Sequence, residues 1–237
     1  MFLENARNFI LDLLFPKFCL NCSREGEYLC LDCFSLIDIL EVQYCPFCTA
    51  PKIVFDGKTC PSCKRTKNLN GLYFATAYEN FITKRFIRQF KYEPYVKDLA
   101  TPLASLIIEH LTRVNALGKI SDFSLISAPL HIKKMKQRGY NQSEELAKEL
   151  SKNLVLPFLK DILLKIKPTR TQTELKKEER NKNIRNAFLC AKPDLIKNKN
   201  ILLVDDVFTS GATMEECAKV LKNAGAKEVW GVAVARG

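Results

Sequence analysis

Residues 201–213, with the sequence ILLVDDVFTSGAT, constrain the fold more than any other part of this 237-residue chain. The apolar run 201–204 indicates a strand buried on both faces, as in a parallel sheet. Asp205 and Asp206 follow at the expected carboxyl end of that strand, where open α/β sheets bind ligands. The small residues 209–213 form a turn before a predicted helix, which suits a phosphate. The two carboxylates suit sugar hydroxyls or a hydrated Mg²⁺.

This arrangement resembles the phosphoribosyl-pyrophosphate (PRPP) motif of type I phosphoribosyltransferases. In that family the two acids hold the ribose hydroxyls and the turn holds the 5′-phosphate. The resemblance implies PRPP with Mg²⁺ as ligands, and catalytic roles for Asp205 and Asp206. It implies further PRPP contacts at the turn residues Thr209, Ser210, Gly211, Ala212 and Thr213. The alternative is an ordinary strand, turn and helix without a ligand.

Eight of the ten cysteines form four C-x-x-C pairs between residues 19 and 63. This spacing lets two thiolates reach one metal ion, so four pairs predict two closed, structural Cys₄ sites. We predict that the bound metal is Zn²⁺, with an iron–sulfur cluster as the alternative. Disulfides are not expected, because a reducing cytoplasm disfavours them. The spacers favour sequential sites and leave a cross-braced pairing open. The predicted ligands are Cys19, Cys22, Cys30 and Cys33 for the first site and Cys45, Cys48, Cys60 and Cys63 for the second.

From residue 71 onward the sequence alternates between strand and helix patterns, which predicts a mostly parallel sheet. Strands are predicted at 72–78, 123–127, 162–166, 187–190, 201–204 and 228–235, and helices at 81–90, 99–111, 142–152 and 214–224. The predicted fold class is α/β: a type I phosphoribosyltransferase-like parallel sheet with helices on both faces, preceded by a small Cys₄ zinc-ribbon module. The expected division is an amphipathic docking helix at 1–18, a double zinc ribbon at 19–68 and a phosphoribosyltransferase-like domain at 69–237.

The net charge of +11 lies entirely after residue 70, because the first 70 residues contain equal numbers of acidic and basic side chains. Such an excess attracts polyphosphate or nucleic acid. In the predicted helix 81–90, Ile82, Phe86 and Phe90 share one face and basic side chains share the other. This basic stripe predicts contacts with single-stranded DNA, with a core-facing aromatic ridge and a solvated charged back as the alternative. Its residues are Lys84, Arg85, Arg88 and Lys91.

Two loops are expected to act on pyrophosphate. In phosphoribosyltransferases the loop after the second strand receives pyrophosphate, which by resemblance implies PRPP contacts at Ala128, Pro129 and Leu130. The long polar segment 167–186 resembles the family's mobile active-site cover. The resemblance implies that Arg170 and Arg180 act in catalysis by stabilising charge on the leaving group. A solvated charged loop is the alternative.

The segment 137–142, QRGYNQ, resembles the Arg-Gly-Phe-Asn-Gln signature of the ComF family, with Tyr140 in place of Phe. We include Arg138 among the predicted PRPP contacts. Asn141 also fits the N-cap of the helix that follows, and both interpretations can hold together. His110, late in an amphipathic helix, is predicted to lie at the surface.

Together these motifs give a resemblance to the ComF family (ComFC or GntX-like) over nearly the whole chain. That family implies a role in natural transformation, in which such proteins help to take up single-stranded DNA alongside a DNA-translocating helicase and the uptake channel. The predicted function is a cytoplasmic accessory protein that binds PRPP or a nucleotide phosphate, without a transmembrane segment or signal peptide. The alternative is an active phosphoribosyltransferase of nucleotide metabolism or salvage, with an unknown acceptor.

Overall fold

The computed structural model describes residues 16–48, 50–93, 95–168 and 184–237. The predicted docking helix lies almost wholly outside the described residues, which include only its last three positions. The cysteine module contains two short helices, α1 (Leu31–Ser35) and α2 (Pro61–Lys64). Each begins directly after a cysteine, because Cys30 and Cys60 are the N-cap residues.

Among the described residues from 71 onward, the predicted strands and helices occur in the predicted order. The strands are β1 (Gly71–Ala77), β2 (Phe123–Ser127), β3 (Leu163–Lys165), β4 (Phe188–Cys190), β5 (Asn200–Phe208) and β6 (Glu228–Arg236). The helices are α3 (Phe81–Lys91), α4 (Ala100–Arg113), α5 (Leu117–Ile120), α6 (Ile132–Arg138), α7 (Gln142–Leu154) and α8 (Ala212–Asn223). The sequence pattern predicts neither α5 nor α6; α6 is a seven-residue helix with Gly139, at φ 77°, as its C-cap. Within the described ranges, no helix combines the length and apolar character that crossing a membrane requires.

Four strands form one parallel sheet in the order β1-β6-β5-β2, which confirms the predicted sheet. Strands β3 and β4 form a separate antiparallel pair. Strand β5 is longer than predicted: β2 ends with Ser127 opposite Val204, whereas β6 continues beside β5 as far as Phe208. Pairing with β6 is the reason for the extra length. Asp205 and Asp206 therefore lie inside a strand, on the stretch that extends beyond β2.

Helices cover both faces of the sheet. Along β5, Leu202 and Val204 belong to the core formed with α3, α4 and α7. Ile201 and Leu203 belong to the core formed with α8 and the β3–β4 pair. All four side chains are buried, and each contributes roughly 2 kcal/mol of hydrophobic stabilisation. The apolar run therefore fixes β5 as a central strand with a core on each side.

The cysteine module packs against the same structure. Its buried residues Leu29, Ile37 and Ile39 are part of the core that contains α4. The segment that joins the module to β1 is anchored by Glu215 at the start of α8. That carboxylate accepts hydrogen bonds from the backbone N–H groups of Asn68 and Leu69, at 2.6 and 3.2 Å.

His110 is buried, so the predicted surface position is wrong. Its Nδ1 donates to the carbonyl oxygen of Leu40 at 2.7 Å, and its Nε2 contacts the side-chain amide of Gln43. Burial lowers the pKa of His110 to about 4, so the ring is neutral. The reason for the error is a long-range contact, because both partners lie between the two cysteine clusters and about 70 residues earlier in the chain.

Candidate functional site

Asp205 is held in place by two hydrogen bonds. The hydroxyl of Ser143, in the first turn of α7, donates to Oδ1 at 2.9 Å, and the backbone N–H of Asp206 donates to the same oxygen at 2.9 Å. Burial and the charge of Asp206 raise the pKa of Asp205 to about 6, against the attraction of Lys91. Sequence reasoning missed Ser143; its position beside a predicted N-cap was the only signal.

Asp206 forms an ion pair with Lys91, the last residue of α3. The Nζ atom lies 2.8 Å from Oδ1, and the two side chains are 23% and 8% exposed. Burial by itself lowers the pKa of Lys91, but the charges of Asp206 and Asp205 raise it, so the ammonium stays charged. The ammonium of Lys91 therefore lies in the acid site, whereas the other three cations of the predicted stripe are exposed. The sequence contains one signal for this position: the apolar residue Ile87 lies one turn before Lys91 on the helix, and it is buried. Lys91 therefore lies at the boundary between the buried face and the exposed face of α3.

The QRGYNQ segment holds the end of α3. The hydroxyl of Tyr140 and the amide of Gln142 both donate to the carbonyl oxygen of Phe90, at 2.7 and 3.1 Å. The guanidinium of Arg138 donates to Oε1 of Gln142 at 2.9 Å and lies over the ring of Tyr92. The last carbonyls of a helix lack intrahelical partners, so these bonds satisfy one of them. The segment thus fixes the last turn of α3 beside the acid pair.

Asn141 caps α7 and also holds the loop after β2. Its Oδ1 accepts a hydrogen bond from the N–H of Ser143 at 3.2 Å, which confirms the predicted N-cap. Its Nδ2 donates to the carbonyl oxygen of Ala128 at 2.9 Å, and the N–H of Ala128 donates to the carbonyl of Val204 at 2.8 Å. The loop 128–130 therefore begins beside β5 at the point where the acid pair follows.

The turn between β5 and α8 depends on Gly211. Its φ of 74° lies in the left-handed region, and a Cβ there would lie 2.4 Å from the ring of Phe208. Helix α8 begins at Ala212, two residues earlier than predicted, and Gly211 provides no side-chain cap. The hydroxyl of Ser210 accepts a hydrogen bond from the N–H of Ala212 at 3.4 Å. A first turn of this kind offers backbone N–H groups to an anion.

The second cysteine site packs against the carboxyl ends of β5 and β6. Arg236, the last residue of β6, donates to the carbonyl oxygens of Cys45 and Cys48 at 3.3 and 3.2 Å. Its guanidinium also lies 5.7 Å from the centroid of the Phe74 ring. The cysteine module is thereby attached to the edge of the sheet that carries the acid pair.

The eight predicted metal ligands form two groups in sequence order. Within each group the four sulfur atoms lie within 4.8 Å of one another, so the sequential pairing is confirmed. The sulfur atoms of Cys22 and Cys30 are 3.5 Å apart, and those of Cys48 and Cys60 are 3.6 Å apart. Zn–S bonds of ~2.3 Å in a tetrahedron require a separation of about 3.8 Å. The two donor sets therefore fit Zn²⁺.

The exposed side of α3 lines a groove of about 420 Å³. We call it the basic groove and define it by Phe81, Lys84, Arg85, Arg88 and Tyr92; Gln89 and Glu93 complete its lining. The three cations are exposed, and the rings of Phe81 and Tyr92 are 70% and 46% exposed. Phe86 and Phe90 are buried, so the predicted aromatic ridge faces the core. Aromatic surface for stacking comes from the two ends of the groove.

A second cavity, also of about 420 Å³, opens beside the loop after β2. Its lining includes Pro129, Asn141 and Lys165. Burial and the nearby charge of Lys134 lower the pKa of Lys165, whose ammonium lies 5.5 Å from the centroid of the Phe188 ring. Mostly apolar walls with a few polar groups are typical of small-molecule sites.

The structure brings most of the predicted PRPP contacts to one edge of the sheet: the acid pair, the turn 209–213 and the loop 128–130. Arg138, the last residue of α6, contacts Gln142 and the ring of Tyr92, which follows the end of α3. Arg170 and Arg180 lie outside the described residues. The segment that contains them joins β3 to β4, and so begins two residues after Lys165.

Comparison with protein families agrees with this architecture. Residues 140–237 match the family model of the phosphoribosyl transferase domain, and residues 10–66 match that of the double zinc ribbon domain. The fold and its sites thus define a phosphoribosyltransferase-type domain joined to a double zinc ribbon.

Three relatives make the assignment more specific. Competence protein F of Haemophilus influenzae is 38% identical over 113 residues, 46% of this chain and 49% of the relative. DNA utilization protein YhgH of Escherichia coli K12 is 31% identical over 138 residues, 56% of this chain and 59% of the relative. Competence protein ComFC of Streptococcus pneumoniae is 27% identical over 206 residues, 86% of each chain. The chain is a homologue of these competence and DNA utilization proteins, which confirms the ComF resemblance. It spans about half of the first relative and about three fifths of the second.

Proposed function

We propose that this protein is a DNA-uptake accessory protein that binds PRPP with Mg²⁺ at the acid pair and single-stranded DNA at the basic groove. The main observation in support of this proposal is that β5 extends beyond β2. Asp205 and Asp206 lie on this extension, shortly before a glycine turn and the N-terminus of α8. The names of the relatives support the link to DNA uptake.

In the proposed site, Asp205 and Asp206 bind the ribose hydroxyls and hold Mg²⁺ through carboxylate oxygens, the donors that this ion prefers. Ser143 keeps Asp205 oriented through its hydrogen bond. The turn 209–213 and the first N–H groups of α8 bind the 5′-phosphate. Bound Mg²⁺ supplies charge neutralisation for pyrophosphate. The proposed pyrophosphate contacts are Ala128, Pro129, Leu130, Arg138, Arg170 and Arg180.

Calorimetric titration with PRPP tests this site. We expect the native protein to bind PRPP only in the presence of Mg²⁺, and the Asp205→Asn/Asp206→Asn variant to bind at least about tenfold more weakly, because charge-assisted hydrogen bonds are lost. Asp194→Asn, an exposed carboxylate on the way to β5, is the matched control and should bind like the native protein. Failure of folded, zinc-loaded native protein to bind PRPP contradicts this part of the proposal.

The basic groove is the proposed DNA site. Lys84, Arg85 and Arg88 provide three exposed cations for phosphates, and Phe81 and Tyr92 provide exposed rings on which bases can stack. We expect the affinity for an oligothymidylate to fall steeply with salt. The slope of log affinity against log salt should decrease by about 0.7 for each lost phosphate contact in Arg85→Ala/Arg88→Ala.

A matched control removes two cations elsewhere. Lys152→Ala/Lys227→Ala changes two exposed lysines, one near the end of α7 and one just before β6, at the opposite end of the sheet from the acid pair. This variant should keep the native slope. Equal effects of the two double variants would show that only general charge attraction operates, and would remove the groove from the proposal.

The second cavity favours a second candidate function, an active phosphoribosyltransferase with an unknown acceptor. Its volume of about 420 Å³ is within the range of small-molecule sites, and it adjoins the loop proposed to contact pyrophosphate. Release of pyrophosphate from Mg²⁺–PRPP, measured with a panel of nucleobases, tests this function. Base-dependent release that Lys165→Met reduces would support it; no release with any base by protein that binds PRPP would exclude nucleobases as acceptors.

We also propose a cytoplasmic location, which keeps eight cysteines reduced for metal binding. The proposed partners are a DNA-translocating helicase and the uptake channel. The proposed division of the chain is a docking helix at 1–18, a double zinc ribbon at 19–68 and a phosphoribosyltransferase-like domain at 69–237.

A further inference from the structure

We infer that Lys91 acts in both proposed sites: it occupies Asp206 until a ligand takes that carboxylate, and its release adds a phosphate contact at the end of the basic groove. The inference rests on the proposed function, because it assumes that PRPP and DNA bind where proposed. It assigns to one side chain a role in connecting the two sites.

The ion pair places Lys91 in the path of any ligand of Asp206. Its ammonium lies 2.8 Å from Oδ1 of a carboxylate that is only 8% exposed. A Mg²⁺ ion at the same carboxylate would repel the ammonium at close range in a poorly solvated site. Oδ1 of Asp205 already accepts two hydrogen bonds, so this oxygen is not open to the displaced ammonium. Ligand binding at the acid pair therefore favours movement of Lys91 away from Asp206.

The helical spacing determines where the released side chain can go. Lys84, Arg88 and Lys91 are related by four and three residues, so they lie in one row along α3. The first two are exposed cations of the basic groove. The Lys91 side chain is 23% exposed in the ion pair. A rotation about its side-chain bonds brings its ammonium towards the row, with no change in the backbone.

The end of α3 itself is fixed. Tyr140 and Gln142 donate two hydrogen bonds to the carbonyl of Phe90, and the Arg138 guanidinium lies over the ring of Tyr92, a residue of the groove. These contacts restrain the helix whichever partner Lys91 has. The connection between the sites is therefore carried by the Lys91 side chain, and the QRGYNQ segment keeps the row of cations in register with the acid pair.

The salt dependence of DNA binding, with and without PRPP, provides the test. Anisotropy of a labelled oligothymidylate is measured from 50 to 200 mM salt at constant Mg²⁺ concentration. For the native protein, saturating PRPP should make the fall of log affinity with log salt steeper by about 0.7. This is the value for one additional phosphate contact on a single strand. The Lys91→Met variant should show the same slope with and without PRPP.

Lys84→Met is the matched control on the same helix. Its salt dependence should be shallower than that of the native protein by about 0.7, both with and without PRPP. PRPP should still make the salt dependence steeper by the same amount as in the native protein. Lys91→Arg, which retains the charge, should also keep the increase. Zinc content and thermal unfolding establish that each variant is folded, and the native measurement decides the inference even where Lys91→Met is unstable.

The outcomes are distinguishable. Native protein that binds PRPP and DNA with an unchanged slope overturns the inference and leaves the proposed function intact. A PRPP-dependent increase that persists in folded Lys91→Met also overturns it. Native protein that binds neither PRPP nor DNA overturns the proposed function, and the inference with it.

Discussion

The ring of Phe47, which lies between Cys45 and Cys48 in the third C-x-x-C pair, contacts the ring of Phe208 edge-on. The ring centroids are 5.9 Å apart and the interplanar angle is 68°. Phe208 ends β5, and its ring lies where a side chain on Gly211 would have to go. The second Cys₄ site is thus connected to the turn before α8 through two aromatic rings. Such edge-to-face pairs contribute about 0.5–1.5 kcal/mol beyond the burial of their surface.

The first prediction concerns this pair. Phe47→Ala should destabilise the protein by about 1–2 kcal/mol, because a half-buried ring and its aromatic contact are lost. It should also weaken PRPP binding, since Phe208 and the turn lose support on one side. Urea unfolding, monitored by the single Trp230, and PRPP titration measure the two effects. Phe55→Ala is the matched control, because Phe55 is 91% exposed; an equal loss of stability there would contradict the argument.

A second prediction concerns Gly211. Gly211→Ala should destabilise the protein by about 2–4 kcal/mol, since the residue has a positive φ and the added carbon would collide with the Phe208 ring. Gly118→Ala, at an exposed position of α5 with nothing within 4 Å of the new carbon, should be neutral or slightly stabilising. Urea unfolding compares the two variants. Similar stabilities would mean that the turn can rearrange.

The third prediction concerns metal content. Plasma mass spectrometry of the native protein should find about two Zn²⁺ per chain, because there are two closed Cys₄ sites. Cys45→Ser should reduce this to about one and lower the unfolding temperature, since the site contributes to folding. Cys190→Ser changes a thiol outside both clusters and should keep two. Iron in place of zinc, or no metal in freshly reduced protein, would refute the assignment.

The fourth prediction concerns pH. The pKa of His110 is about 4 in the folded protein, below its ordinary value of 6.5, so the unfolded chain binds the extra proton first as the pH falls. The contribution of the neutral His110 ring to the free energy of unfolding is therefore fully present above pH 6.5. It is lost as the pH falls from 6.5 to 4. The loss should amount to about 3 kcal/mol, at about 1.4 kcal/mol for each unit of pKa.

His110→Gln isolates this effect from the acid sensitivity of the Cys₄ sites. The glutamine can still donate to the carbonyl of Leu40 but does not titrate. The variant should be less stable at pH 7 and should lose less stability than the native protein between pH 6.5 and pH 4. Parallel stability curves for the two proteins, obtained from urea unfolding at each pH, would contradict the assignment.

Regular patterns made much of the fold predictable. The alternation from residue 71 onward gave every strand of the parallel sheet, with boundaries within a few residues, because each strand is an apolar run that the core requires. The four C-x-x-C pairs gave both metal sites, since their ligands are close in sequence. Helix α6 was missed because seven residues contain too few apolar positions to show a period.

The errors in the predicted surroundings of Lys91 and His110 arise from contacts between distant parts of the chain. Lys91 lies next to a row of exposed cations in sequence, and only the fold brings it to Asp206, 115 positions later. The partners of His110 are likewise set by packing of the cysteine module on α4. The sequence identifies such residues as charged or polar, and their partners depend on the tertiary structure.

The hydrogen bonds from Arg236 to the carbonyls of Cys45 and Cys48 join residues 191 and 188 positions apart. The second Cys₄ site is different, because its ligands span fewer than 20 residues and can close around metal locally. During synthesis, which proceeds from the N-terminus, the cysteine module can therefore form long before β6 exists. Its attachment to the carboxyl end of β6 must wait until nearly the whole chain has been made. The Arg236 contact is thus a late event in folding, and it reports that β6 is in place.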